Sequence, residues 1–170
     1  TPSWTTPTAT DLCDTDVELT FADVTTPGVC AGSYSITRTW TATDDCGNIT
    51  TATQTINVED VTPPVISALP GATTINCDAT PSWTTPTATD LCDTDVELTF
   101  ADVTTPGVCA GSYSITRTWT ATDDCGNITT ATQTINVEDV TPPVISALPA
   151  PTTINCDATP SWTTPTATDL

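Results

Sequence analysis

The clearest hydrophobic pattern in the chain has a period of two. Between Ser112 and Thr122, residues Tyr113, Ile115, Trp119 and Ala121 fall on one face of an extended segment, and Ser114, Thr116, Thr118 and Thr120 fall on the other. Arg117 interrupts the apolar face. Its stem is expected beside Trp119 and its head on a carboxylate such as Asp102. Five more runs rich in Thr, Val and Ile read as strands: Val65–Leu69, Thr73–Cys77, Ser82–Thr89, Val96–Thr104 and Ile128–Val137. No window carries a helical period. Asp123-Asp124-Cys125-Gly126-Asn127 is predicted to be a tight turn joining the last two long strands, because Gly and Asn tolerate positive φ. Short strands at this spacing predict an all-β fold, an immunoglobulin-like β-sandwich.

The pattern then repeats. Thr1-Pro2-Ser3-Trp4 recurs at Thr80 and again at Thr159, a period of 79 residues. Residues 1–79 and 80–158 differ at two positions only, Gly71 against Ala150 and Ala72 against Pro151. One small sandwich per period is expected, in tandem. Pro63-Pro64 and Pro142-Pro143 punctuate the array, since paired prolines cannot continue a ladder. Cutting at Thr62 gives one complete repeat, 62–140, preceded by the C-terminal part of another (1–61) and followed by the N-terminal part of a third (141–170). The truncated third copy leads us to expect a longer array around this stretch.

Composition removes whole classes of chemistry. The chain has 21 acidic residues, 2 basic ones, no His and a formal charge of −19. Both basic residues are Arg. Without His or Lys there is no Ser-His-Asp or Cys-His catalysis, no Schiff base, and no Lys–Asn isopeptide bond. The charge opposes binding to nucleic acid or anionic membranes, and no apolar run is long enough to span a bilayer. No enzyme is expected: Asp123 and Asp124 are adjacent, but nothing resembles an insertion that would form a cleft around them.

The order of several motifs carries a resemblance. Thr62-Pro63-Pro64-Val65-Ile66, Pro86-Thr87-Ala88-Thr89-Asp90, Trp119-Thr120-Ala121-Thr122-Asp123-Asp124-Cys125-Gly126-Asn127 and Asn136-Val137-Glu138-Asp139-Val140-Thr141-Pro142-Pro143 together resemble the hyalin-repeat family. The resemblance covers the whole repeat. It is nearest to the Cys-rich form found in tandem in very large surface proteins of Bacteroidetes, gliding-motility adhesins among them. It implies an Ig-like sandwich, an extracellular, bacterial cell-surface location and an adhesive or spacer role. In animal hyalin repeats a Cys-Pro follows the first Pro-Pro segment. Here that place is Leu69-Pro70, so the animal disulfide does not transfer.

Eight cysteines, four per period and none in a CxxC, favour extracellular disulfides over a zinc site. Cys109 and Cys125 flank the Ser112–Thr122 strand and stand roughly 35 Å apart at ~3.3 Å per residue, too far to bond. The same argument excludes Cys77–Cys92 and Cys92–Cys109. The expected pairs are Cys77–Cys109 and Cys92–Cys125, one at each end of the sandwich, with Cys13–Cys46 in the preceding copy. Cys30 and Cys156 then need partners outside the sequence.

The acids cluster around those loops. Asp90, Asp93 and Asp95 surround Cys92, Asp123 and Asp124 precede Cys125, and the linker residues Glu59 and Asp60 are expected to arrive at the same end. Seven carboxylates at one junction repel one another unless a hard cation intervenes. They are candidate ligands for Ca²⁺, which takes 6–8 oxygens. No organic cofactor is expected. Asn48 and Asn127 each head an Asn-Ile-Thr sequon, although Asn127 already has a turn role. The expected function is a stiff structural repeat of a long extracellular fibre or adhesin. Its expected partners are neighbouring repeats, with other copies of the fibre or surface glycans as further candidates. The alternative is a glycan- or ice-binding module built on rows of threonine such as Thr116, Thr118 and Thr120.

Overall fold

A computed structural model describes residues 2–169, so the outermost residues of the two partial-repeat expectations, 1 and 170, lie outside it. The described chain is all-β, without helices, and has no cis peptide bonds. Its eleven strands are β1 (Glu18–Pro27), β2 (Tyr34–Thr43), β3 (Ile49–Val58), β4 (Val65–Ile66), β5 (Thr73–Asn76), β6 (Ala88–Thr89), β7 (Glu97–Pro106), β8 (Tyr113–Thr122), β9 (Ile128–Glu138), β10 (Val144–Ile145) and β11 (Ala167–Thr168). They form sheets β1-β2-β3, β4-β6, β5-β9-β8-β7 and β10-β11, in keeping with an Ig-like β-sandwich.

Sequence and strands agree closely where alternation is strong. The long runs fold as β7, β8 and β9. The Ser82–Thr89 run yields only β6, because Pro86 supplies no ladder donor. β4 and β6 are antiparallel, Val65 opposite Thr89. β5 lies parallel to β9, with Thr73 opposite Ile135 and Asn76 opposite Glu138. The Asp123–Asn127 turn is closed by the Asp123 N–H to the Asn127 carbonyl at 3.2 Å, with Gly126 at φ +87°.

The chain divides into two compact units. The first gathers the chain up to Ser67 with Thr87–Thr99 and Thr120–Thr130. The second gathers Ala68–Pro86, Phe100–Trp119 and the chain from Ala131 on. In the first unit, β1, β2 and β3 form an antiparallel meander in strict register, Glu18 opposite Thr43 and Tyr34 opposite Val58. Trp40 is its buried aromatic, and Ala121 and Asp123 are buried in the same unit.

In the second unit, Trp119, Ile135 and Val137 are buried. The expected place of Arg117 is found. Its Nε and Nη2 donate to Asp102 Oδ1 and Oδ2, each at 2.7 Å, and its guanidinium lies 4.5 Å from the Trp83 ring and 3.8 Å from Phe100. Trp83 and Tyr113 are both half-buried, Trp83 as part of this stack. Arg38, Asp23, Trp4 and Phe21 form the same arrangement in the first unit.

Candidate functional site

The candidate site is built on two loops and a linker of the first unit. Most of its acids are needed by the backbone. Asp90 Oδ1 accepts from the N–H of Cys92 at 2.8 Å and of Asp93 at 3.1 Å. Asp93 is buried; Oδ1 accepts from Asp95 N–H at 2.8 Å and Oδ2 from Asp124 N–H at 2.9 Å, which ties this loop to the hairpin turn. Asp123 is buried too. Its Oδ1 accepts from Cys125 N–H at 3.0 Å and Asn127 N–H at 2.8 Å, and its Oδ2 from Asn127 Nδ2 at 2.8 Å. Desolvation opposes the charge of Asp123. The hydrogen bonds from Asn127, Cys125 and Gly126 outweigh it and hold the pKa below the ordinary aspartate value.

The linker arrives where the sequence places it. Asp60 donates its N–H to Ser33 Oγ at 3.3 Å, and its carbonyl accepts from Asn127 Nδ2 at 3.2 Å. Its Oδ1 accepts from Thr62 N–H at 3.0 Å. Asp60 is 8% exposed, and its Oδ2 is buried with no hydrogen-bond partner. Ligand atoms of Asp60, Asp90 and Cys92 all lie within 4.8 Å of one another. Desolvation, then the negative charges of Asp60, Asp90 and Asp123, push the Cys92 thiol above its usual pKa.

Of the seven predicted cation ligands, the structure therefore gathers Asp60 and Asp90, with Asp123 acting on the same thiol. Asp93 and Asp123 have both carboxylate oxygens engaged by the chain itself. Glu59, Asp95 and Asp124 are exposed and outside the group. Two carboxylates and a thiol fall short of the 6–8 oxygens that calcium takes.

The cysteines depart from expectation. Cys125 is bonded to Cys30, with Cα atoms 5.1 Å apart and 95 residues between them in sequence, so Cys92–Cys125 is not formed. Cys77, Cys109, Cys13 and Cys46 are not bonded in this structure. The strand-length argument rightly separated neighbouring cysteines, but it sought every partner within one repeat. Cys30 reaches Cys125 from the preceding copy, on the loop that Gly32 turns at φ +74° and that Ser33 joins to Cys30 Sγ at 3.0 Å. The Cys30-Ala31-Gly32-Ser33 turn beside an acidic linker was the available signal.

Residues 65–137 match the HYR-like domain with 4 cysteines. This stretch is hyalin-repeat-like, and Cys125 lies inside it while Cys30 lies outside. Such domains are structural repeat modules of an extracellular, cell-surface type rather than enzymes. A comparison with curated proteins finds none that matches the chain. Among the described residues, no helix is long and apolar enough to cross a membrane.

Proposed function

We propose that the hyalin-repeat-like module is a stiff spacer in the stalk of a large bacterial surface adhesin, of the kind used in attachment or gliding. Its mechanism is mechanical. The observation that carries this reading is the Cys30–Cys125 bond, which joins one copy of the repeat to the next instead of closing within a copy. Asp60, buried between Ser33 of one copy and Asn127 of the next, fixes the linker at the same place. A covalent tie plus an anchored linker limits bending at the junction. The partner of each repeat is thus the neighbouring repeat, and Asp60 and Asp90 are the proposed ligands for calcium.

The threonine rows support the spacer over an ice- or glycan-binding face. Thr37 and Thr55 hydroxyls bond each other at 3.0 Å, and Thr116 and Thr134 at 3.2 Å. Hydroxyls paired across strands stabilise the sheet and are less free for a ligand. The test is small-angle scattering of oxidised arrays of increasing length. Maximum dimension should grow in proportion to repeat number. Growth as its square root, as for a freely jointed chain, would overturn the stiff-spacer reading.

A further inference from the structure

The loops Gly28–Ser33 and Gly107–Ser112 are the same loop in successive copies. Both close with a Gly-to-Ser backbone bond of 2.8 Å and a Ser-to-Cys bond of 3.1 Å, and Gly32 and Gly111 sit at φ +74° and +77°. In each, the serine hydroxyl touches the cysteine sulfur, Ser33 to Cys30 at 3.0 Å and Ser112 to Cys109 at 2.7 Å. A neighbour seen beside one copy of this loop can therefore be transferred to the other.

The two glycines have different neighbours. A methyl group placed on Gly32 would fall 2.9 Å from Cys92 Cβ, a residue of the following copy. A methyl group placed on Gly111 would fall 3.7 Å from Cys77 Cβ, a residue of the same copy. In a continuous array one point of the loop thus has the Cys77 of its own copy and the Cys92 of the next beside it. Their Cβ atoms then stand at most about 7 Å apart, a range that includes the ~3.8 Å of a disulfide. Neither Cys77 nor Cys92 has another bonded partner here.

We propose that every junction between consecutive copies is closed by two disulfides: the Cys30–Cys125 bond, and a second from Cys77 of one copy to Cys92 of the next. Within this chain the second bond would join Cys77 to the residue one period beyond Cys92, and Cys92 to the residue one period before Cys77. All four cysteines of an interior copy are then used, two at each end, and none within the copy. Each bond forms by exchange with a small-molecule disulfide. One thiolate attacks it and displaces a thiol, and the second thiolate displaces the other. Two electrons pass to the reagent, and two small thiols leave with the protons.

The arrangement has a mechanical consequence. The Cys30–Cys125 bridge spans 95 residues, more than the period of 79, so successive bridges overlap by about 16 residues. A pulled array then bears force through a covalent shortcut. Its fully extended length is then capped at that overlap, about 55 Å per repeat at ~3.4 Å per residue, instead of about 270 Å for the whole period.

Non-reducing peptide mapping tests the connectivity, first on the present chain and then on an array longer by one 79-residue period, each oxidised with oxidised glutathione. The present chain should yield Cys30 joined to Cys125. The longer array should add Cys109 joined to the residue one period beyond Cys125, and Cys77 joined to the residue one period beyond Cys92. A Cys77–Cys109 or Cys92–Cys125 peptide, or a free Cys77 in the longer array, overturns the proposal. Single-molecule extension gives a second readout. Oxidised arrays should extend to no more than about 55 Å per repeat in contour, and reduction should raise that limit roughly fivefold. The connectivity holds whatever the array carries. Bent scattering profiles with the mapped bonds intact would count against the spacer alone.

Discussion

Residues 1–61 and 80–140 have the same sequence, yet they are not equally buried. Both copies form the same three long strands, the same Arg-centred stack and the same acid-capped turn. β3 is exposed along most of its length. β9 buries Gln133, Ile135 and Val137 on alternate positions. The difference is β5, which lies beside β9. β9 has β5 parallel to it on its far edge, whereas among the described residues β3 pairs only with β2. Along Trp40, Leu19, Ala42 and Ala52 the first copy keeps an open groove of about 280 Å³. Hairpins, turns and ion pairs are local properties of the sequence; the core is not. It needs the head segment 62–79.

The largest test of this contrast is a matched pair of core truncations. Ile135→Ala removes a side chain that is 2% exposed, and should destabilise β9 by about 2–5 kcal/mol, the usual range for a buried Ile. Ile56→Ala, the same residue in the first copy, is only half-buried and should cost under about 1 kcal/mol. Native-state hydrogen exchange of β9 and β3 amides reads the two separately. Equal losses would mean that β5 is not what closes the core.

A second pair should show no contrast. Arg117→Ala and Arg38→Ala each remove a bidentate ion pair and stacking on three aromatic rings. Cation–π contacts of this kind contribute about 1–2 kcal/mol. Because the stack is local, both variants should lose similar stability, within about 0.5 kcal/mol of each other. Tryptophan fluorescence during denaturant unfolding measures it. A loss confined to Arg117 would show that the stack depends on the closed sandwich.

Acid should likewise act on both copies alike. Hydrogen bonding to Arg117 and Arg38 holds Asp102 and Asp23 below the ordinary value of 3.8. A depressed carboxylate pKa gives stability that is complete above the unfolded value and is lost as pH falls through the folded one. The stack signal should therefore be flat from neutral pH to about 5 and decline below about 4 in both copies. A decline that begins near neutral pH would implicate a group other than these carboxylates.

What could be read from sequence follows this same division between local and non-local. The alternation from Tyr113 to Ala121 needs only one strand and its pleat, so β8 was legible, as were Arg117 on Asp102 and the Asp123–Asn127 turn. The convergence of Asp60 with Asp90 was legible from the end-to-end logic of a sandwich. The Cys30–Cys125 bond was not. A near-perfect repeat makes Cys30 and Cys109 indistinguishable in sequence, so pattern alone cannot say which copy supplies a partner. Nor can it show that both carboxylate oxygens of Asp93 and Asp123 accept hydrogen bonds from the loops, since those donors come into place only once the loops close.

The smallest expected effect separates Asp60 from its copy, Asp139. Asp60 is buried beside Asp90 and Cys92, with Oδ2 unpartnered; Asp139 is only half-buried. Their local bonds are alike, Asp60 Oδ1 accepting from Thr62 N–H and Asp139 Oδ1 from Thr141 N–H, both at 3.0 Å. Of the two, Asp60 therefore offers a cation a buried oxygen without a hydrogen-bond partner. With two protein carboxylates and water as ligands, binding should be as weak as in extracellular calcium modules, Kd about 1 mM. At about 2 mM calcium, such binding to the folded state alone stabilises by roughly 0.7 kcal/mol, a rise of a few degrees in melting temperature. Asp60→Asn removes one of the charges crowding Cys92, so it should melt slightly higher than the parent in chelator and show no response to calcium. Asp139→Asn should keep the parent's response. Differential scanning calorimetry of the oxidised chain with calcium and with chelator makes the comparison. Identical melting of the parent in both buffers would remove calcium from the junction. The disulfide bond and the anchored Asp60 linker would then be left to hold the copies in line.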